Sequence, residues 1–232
     1  MRENTKDSAG GRHALLLIDK PLGMSSFDVI RALRRARRVR KVGHAGTLDP
    51  LASGLLVIGV GEETKRLKEI IGLPKTYRAR VRFGERRDTG DLEGRVVEEV
   101  QAPLTLTEED VRRALASLVG VLRLPVPRYS AVKRGGVPLY RRARRGEAVE
   151  PPLKTMEVRR AALLSFGKEE GGLRAYADVE WEVGSGTYIR SLAEAWGRRL
   201  GIPATLAALR RTRVGPYRVE DAAPVPTGEH AS

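Results

Sequence analysis

Three short segments hold the residue types most able to do chemistry. Gly43 to Pro50 reads GHAGTLDP and sets a histidine, two glycines and an Asp-Pro pair between a basic stretch and an apolar run. An Asp-Pro in a Gly-rich turn is often only a cap, but an aspartate held in a stiff turn beside a basic surface can serve as a nucleophile or a general base. Glycines at that place let a nucleic-acid backbone approach closely. Gly186-Thr187-Tyr188-Ile189-Arg190 lies where a strand pattern gives way to a helix pattern. Arg190 is there either a surface arginine or a cation delivered at a helix start to hold a carboxylate. Lys75-Thr76-Tyr77-Arg78 puts a tyrosine at the start of a strand pattern. With no cysteine and three histidines (His13, His44, His230) in 232 residues, thiolate chemistry, disulfides and Cys- or His-rich metal sites are disfavoured, and no metal or cofactor is expected.

The charge distribution suggests the partner. The formal net charge is +14. Arg31 to Lys41 (RALRRARRVRK) holds seven basic residues and no acid, and Arg123 to Arg145 (RLPVPRYSAVKRGGVPLYRRARR) holds eight and no acid. Either run alone reads as a solvated helix face or a flexible loop. Two acid-free blocks that carry the whole surplus read as a phosphate-tracking surface, with Arg34, Arg37, Arg38 and Lys41 in the first and Arg128, Lys133, Arg141, Arg142, Arg144 and Arg145 in the second. Tyr129 and Tyr140 in the second block are placed to stack on bases or simply to pack. No apolar run approaches the ~20 residues that span a bilayer, and no charged-then-apolar leader opens the chain, so a cytoplasmic protein without membrane contact is expected.

These segments need elements to hold them. Ala14 to Ile18 predicts a strand, and Ser25-Ser26-Phe27-Asp28 a capping box that opens a basic helix to about Arg40. Leu55 to Val60 predicts a buried strand and Glu62 to Ile71 a charged helix. Tyr77, Ala79, Val81 and Phe83 alternate with Arg78, Arg80 and Arg82, a strand with one wet face, for which Gly94 to Val100 reads as the hairpin partner. Thr107 and the three acids after it cap a helix to Val119. Residues 125–152 form a basic, Pro/Gly-punctuated arm with a short helix at Leu139 to Arg145. Met156 to Phe166 and Leu173 to Val183 predict a strand pair, followed by a helix from Ile189 to Leu200 and a short helix near Ala204 to Arg211. Strands and helices mixed without regular alternation predict an α+β class. Residues 1–12 read as a disordered tail, 13–219 as one domain, and 220–232 as a short C-terminal tail.

In combination and order these segments resemble the bacterial tRNA pseudouridine-55 synthases, the TruB family. The resemblance runs through LIDKPLGMSSFDVI, KVGHAGTLDPLASGLLVIGVGEETK, KTYRARVRFGERRDTGDLEG, VPRYSAVKRGGVPLYRRARRG, GTYIRSLAEAWGRRLG and LAALRRTRVGPY, over roughly residues 17–217. It implies a pseudouridine-synthase core around a mixed, largely antiparallel sheet flanked by helices, with residues 125–152 as an RNA-gripping thumb. It implies Asp49 as the catalytic nucleophile, Tyr77 stacking on the target base, and Arg190 pairing with Asp49, with Asp91 as a second carboxylate for that arginine. His44 matches the residue that displaces the target nucleotide, while Lys20, Tyr188 and Leu209 match pocket-lining positions. The implied activity is isomerisation of a T-loop uridine, position 55 of tRNA, to pseudouridine, on the T-arm; nothing in the sequence requires more than a monomer. Relatives commonly continue into a small RNA-binding (PUA) domain; only 15 residues follow Tyr217, so none is expected here. The alternative is a non-catalytic RNA-binding or tRNA-folding protein that uses the same basic surface; it has no need of Asp49, Tyr77 and Arg190 together.

Overall fold

A computed structural model of the chain describes residues 13–226. The tail readings at 1–12 and 227–232 lie outside the described residues. The described residues form two compact units: 13–73 with 211–226, and 74–210.

The first unit opens with β1 (Ala14–Lys20), helix α1 (Ser26–Arg37), β2 (Val42–His44) and β3 (Ala52–Val60). A 3-10 turn at Gly61–Arg66 and helix α2 (Leu67–Gly72) follow, so the single charged helix expected there is broken in two. Antiparallel to β3 run both β1, with Ile18 opposite Leu56, and β2, with Gly43 opposite Gly59. The unbroken apolar run of β3 has its cause in burial on both faces. Leu56, Ile58 and Val60 pack on Val29, Ile30 and Leu33 of α1, while Leu55 and Val57 pack with Leu67 and Ile70 of α2. Helix α1 starts where the capping box is expected: the Ser25 hydroxyl accepts from the Asp28 amide at 3.1 Å, and the Asp28 carboxylate accepts from the Ser25 amide at 2.8 Å.

The second unit is built on β4 (Lys75–Phe83), β5 (Glu85–Arg87), β6 (Val96–Glu99), α3 (Glu108–Ala116), β7 (Gly120–Pro125), β8 (Lys133–Arg134), β9 (Val137–Pro138), α4 (Leu139–Arg144), β10 (Leu153–Lys168), β11 (Ala175–Val183) and α5 (Ile189–Leu200). Its main antiparallel path is β4–β11–β10–β7. The expected β10–β11 pair is present, whereas β6 pairs with β5 instead of β4. Strand β4 has another partner: Tyr77, Ala79 and Val81 face Trp181, Val179 and Ala177 of β11. Those residues are buried, and Trp196 of α5 closes the layer edge-on to Trp181 and Phe83, at ring centroid distances of 5.8 and 5.2 Å. On the other face Arg78 and Arg80 pair with Glu180 and Asp178 across the strands, at 3.4 and 2.7 Å.

The helix expected near Ala204 to Arg211 is a strand, β12 (Ala204–Val214), which carries the chain from the second unit into the first. Ala, Leu and Arg are good helix formers, but here burial of Ala204, Leu206 and Arg211 in a pleated layer overrides propensity. After β12 come β13 (Tyr217–Arg218), paired to it, and β14 (Ala223–Pro224), which lies parallel to β1. The β1–β14 pair is parallel and the other pairs described above are antiparallel, so the class is α+β with a mixed, largely antiparallel sheet, as the sequence and the resemblance imply. Among the described residues no helix is long and apolar enough to cross a membrane.

Candidate active site

In the first unit the GHAGTLDP segment is fastened at several points. Ser26, buried in the first turn of α1, meets Leu48 with one hydroxyl, donating to its carbonyl at 3.0 Å and accepting from its amide at 2.8 Å. The Asp49 carbonyl accepts from the Ala52 amide at 3.0 Å, and the Pro50 carbonyl from the Gly23 amide at 2.9 Å. That second bond ties the turn after β1 to the Asp-Pro pair. Lys20 organises the same turn: its ammonium is fully buried and donates to the carbonyls of Pro21 and Met24 at 2.9 and 2.6 Å. Asp49 itself is half-buried.

Two buried cations, Lys20 and Arg211, act on this segment. Arg211 of β12 is buried and donates to the Leu55 carbonyl at 2.7 Å and the Gly46 carbonyl at 3.1 Å. Burial lowers the pKa of Lys20; Asp49 opposes that, Arg211 adds to it, and Asp28 opposes it. His44, at the end of β2, is lowered from the ordinary histidine value by burial first and by the Arg211 charge second. Its Nδ1 is buried with no hydrogen-bond partner among the described residues. A second ring proton at Nδ1 would find no acceptor among the described residues, which, with burial, favours the neutral imidazole.

The second unit places Tyr77, Asp91, Tyr188, Arg190 and Leu209. Arg190 sits in the first turn of α5, where a cation opposes the helix dipole. It is held there by partners. Its guanidinium donates to the carbonyls of Thr89 and Tyr129, at 2.9 and 3.1 Å, and lies 3.4 Å from the Asp91 carboxylate. Asp91 is fixed in turn, because its other oxygen accepts from the Thr89 hydroxyl at 2.6 Å and the Glu93 amide at 3.1 Å. Gly90 (φ +77°) lets this turn press on α5: a Cβ there would fall 3.0 Å from Glu194 Oε1 and 3.4 Å from Arg190 Cβ. Burial raises the Glu194 carboxyl above its ordinary value.

Tyr77 is buried on β4 opposite Trp181. Tyr188 packs at the root of the basic arm against Val126, Leu139 and Met156, with the Lys154 ammonium 5.2 Å from its ring centroid. Leu209 lies half-buried on β12. In the arm, Arg128, Lys133, Arg141, Arg144 and Arg145 are exposed, whereas Arg142 is half-buried and paired with Glu147 at 2.6 Å. The Tyr140 ring lies 5.7 Å from the Arg144 guanidinium, and its hydroxyl accepts from Arg141 at 3.3 Å. Of the first basic block, Arg34, Arg38 and Lys41 are exposed and Arg37 is half-buried, with Lys41 also paired to Glu62 at 3.0 Å. Among the described residues no group of three His, Cys, Asp or Glu side chains is placed to hold a metal ion.

Sequence reasoning assigned no site role to Ser26, Arg211 or Glu194. Ser26 is hidden behind the capping serine beside it. Arg211 is lost once β12 is read as a helix. Glu194 had one legible signal, its i, i+4 spacing from Arg190 on α5.

The family model described as TruB family pseudouridylate synthase (N terminal domain) matches residues 34–189. A tRNA pseudouridine synthase B of Xanthomonas campestris is 44% identical over 90% of this chain and 66% of its own length. One from Thermobifida fusca is 44% identical over 90% of this chain and 72% of its own length. The chain thus spans about two thirds of the length of these curated relatives. Among solved structures, a chain in the crystal structure of a Cbf5-Nop10-Gar1 complex superposes with a TM-score of 0.68 and 26% identity, over 92% of this chain and 53% of that one.

Proposed function

Because this chain belongs to the TruB family of pseudouridylate synthases, we propose that it isomerises a uridine in the T loop of tRNA to pseudouridine, with Asp49 as the nucleophile. The reaction breaks the bond from C1′ to N1, turns the base, and joins C1′ to C5; the C5 proton leaves and N1 gains one, so composition is unchanged. The observation that carries this reading is the fastening of the Asp49 turn by Ser26, Gly23 and Arg211, which presents one carboxylate in a preset geometry. Arg190, oriented by Asp91, supplies positive charge to the same chemistry, and Tyr77 supplies a stacking face for the base. Tyr188, Leu209 and Lys20 line the substrate position.

A base inside a folded loop must leave its stack, at a cost of a few kcal/mol. The exposed arginines of α1 and of the arm, acting on tRNA phosphates, offset that cost, and neutral His44 takes the space that the extruded nucleotide leaves. A neutral ring suits that role, since it enters a stack of bases without a charge to desolvate. The test is nucleoside chromatography of digested tRNA transcripts after incubation with the protein. One pseudouridine is expected, and it disappears when the T-loop uridine is replaced by cytidine. Tight tRNA binding with no pseudouridine would favour a binding or RNA-folding protein. Pseudouridine that persists in the cytidine transcript would place the target elsewhere.

A further inference from the structure

We propose that Arg211 is the positioning residue for Asp49, a buried fork that holds both ends of the segment carrying the carboxylate; this rests on the reading of Asp49 as the nucleophile. Its Nε donates to Leu55 and one terminal nitrogen donates to Gly46, carbonyls that flank Asp49 in the chain, at 2.7 and 3.1 Å. Its backbone grips the same segment. A Cβ on Gly54 (φ +104°) would lie 2.2 Å from the Arg211 carbonyl oxygen and 2.8 Å from its nitrogen, so only glycine lets β12 run this close. The segment is therefore pinned by the side chain at positions 46 and 55 and by the main chain at 54.

A cation as buried as Arg211, 1% exposed, costs far more to desolvate than a methionine or leucine of similar volume. What no apolar residue provides is a planar fork with several donors at fixed angles, able to serve two carbonyls at once. Lysine provides the charge without the fork. Arg211 also places a fixed charge beside His44 and Lys20, while Asp49 and Asp28 are the carboxylates that act on Lys20. His44, with its buried Nδ1 lacking an acceptor, then cannot easily become a second cation beside the guanidinium.

The sign of the pH effect follows. Below the ordinary value of 6.5 an unfolded His44 takes up a proton that the folded one resists, so its contribution to stability is full above 6.5 and declines as pH falls below it. Without the Arg211 charge, the His44 titration moves back up toward 6.5 and that acid loss shrinks.

The test compares wild type, Arg211→Lys and Arg211→Met as full chains. In Arg211→Lys, single-turnover pseudouridine formation is expected to fall by about 100-fold, the scale of a small misplacement of a reacting group, with tRNA affinity within about threefold of wild type. Amide exchange at Leu48 and Ala52 is expected to accelerate by about tenfold or more. His44, followed by its imidazole proton resonances, is expected to keep its wild-type titration in Arg211→Lys and to titrate at higher pH in Arg211→Met. A purely structural role would lower melting temperature in both variants while leaving the single-turnover rate as in wild type. A wild-type rate in Arg211→Lys overturns the proposal, as does unchanged exchange at Leu48 and Ala52. If Arg211→Met does not fold, the rate and exchange in Arg211→Lys decide. If wild type itself makes no pseudouridine, the functional reading fails separately, and the exchange and titration data still report whether Arg211 holds the segment.

Discussion

Ser26 meets both backbone groups of Leu48 with one hydroxyl, so Ser26→Ala leaves an amide and a carbonyl beside Asp49 without their partner. Each buried group stranded in this way costs about 1–3 kcal/mol. Part of that is recovered if the turn shifts toward water, and the shift moves Asp49. Ser26→Ala is therefore expected to lose about 2 kcal/mol in denaturant unfolding and to lower the single-turnover rate by at least about tenfold, with tRNA affinity little changed. A loss of affinity larger than the loss of rate would make Ser26 a binding residue instead. The neighbouring Ser25 acts differently, since it caps α1 through its bonds with Asp28. Two adjacent serines thus serve a helix end and the turn that carries Asp49. The residues proposed for the chemistry were legible as a motif, while the ones that hold the turn were not, because a hydroxyl or guanidinium bonded to a distant carbonyl leaves no local spacing to read.

At the scale of elements, the α1 cap is the best-specified feature. Hydrogen bonds from the Ser25 hydroxyl first, then from Arg31 and the Ser25 amide, bring the Asp28 carboxyl down to about 2. A carboxylate lowered in the folded state contributes fully above its ordinary value of 3.8 and loses that contribution as pH falls toward 2. Asp28→Ala is accordingly expected to be less stable than wild type at pH 5, with the gap closing toward pH 2.5, as followed by helical circular dichroism in denaturant. A gap independent of pH would assign the effect to packing. The sequence shows this cap because Ser25 and Asp28 lie within four residues of each other. It shows β3 and β11 equally well, through an unbroken apolar run in one and strict alternation in the other. It hides partnerships made at long range: β4 finds β11 about a hundred residues later, with Tyr77 opposite Trp181, while the nearer β6 turns to β5. It misleads at β12, where Leu206-Ala207-Ala208-Leu209-Arg210 has helix-forming composition and only burial in the sheet decides the outcome. That error removed Arg211 from view.

For the molecule as a whole, a net charge of +14 concentrated in two acid-free blocks makes the salt dependence of RNA binding the informative quantity. The structure sorts the arm's arginines. Arg142 is engaged with Glu147 at 2.6 Å, whereas Arg141 and Arg144 are exposed around Tyr140. Arg141→Ala with Arg144→Ala is expected to weaken tRNA binding and to flatten the slope of log affinity against log salt by about 0.7–0.9 for each phosphate contact removed. An unchanged slope would locate the RNA on α1 and away from the arm. Catalysis at saturating tRNA should change little in that variant, since neither residue is assigned to the chemistry.

On the proposed function, Asp49 is the nucleophile of a uridine-to-pseudouridine isomerisation. The most direct test of that role is tritium release from tRNA labelled at uridine C5, with wild type and Asp49→Asn measured side by side at matched occupancy. Release by wild type, none by Asp49→Asn, and similar tRNA affinity for both is the expected result. Substantial release by Asp49→Asn would contradict it, as would a wild type that binds tRNA and releases nothing.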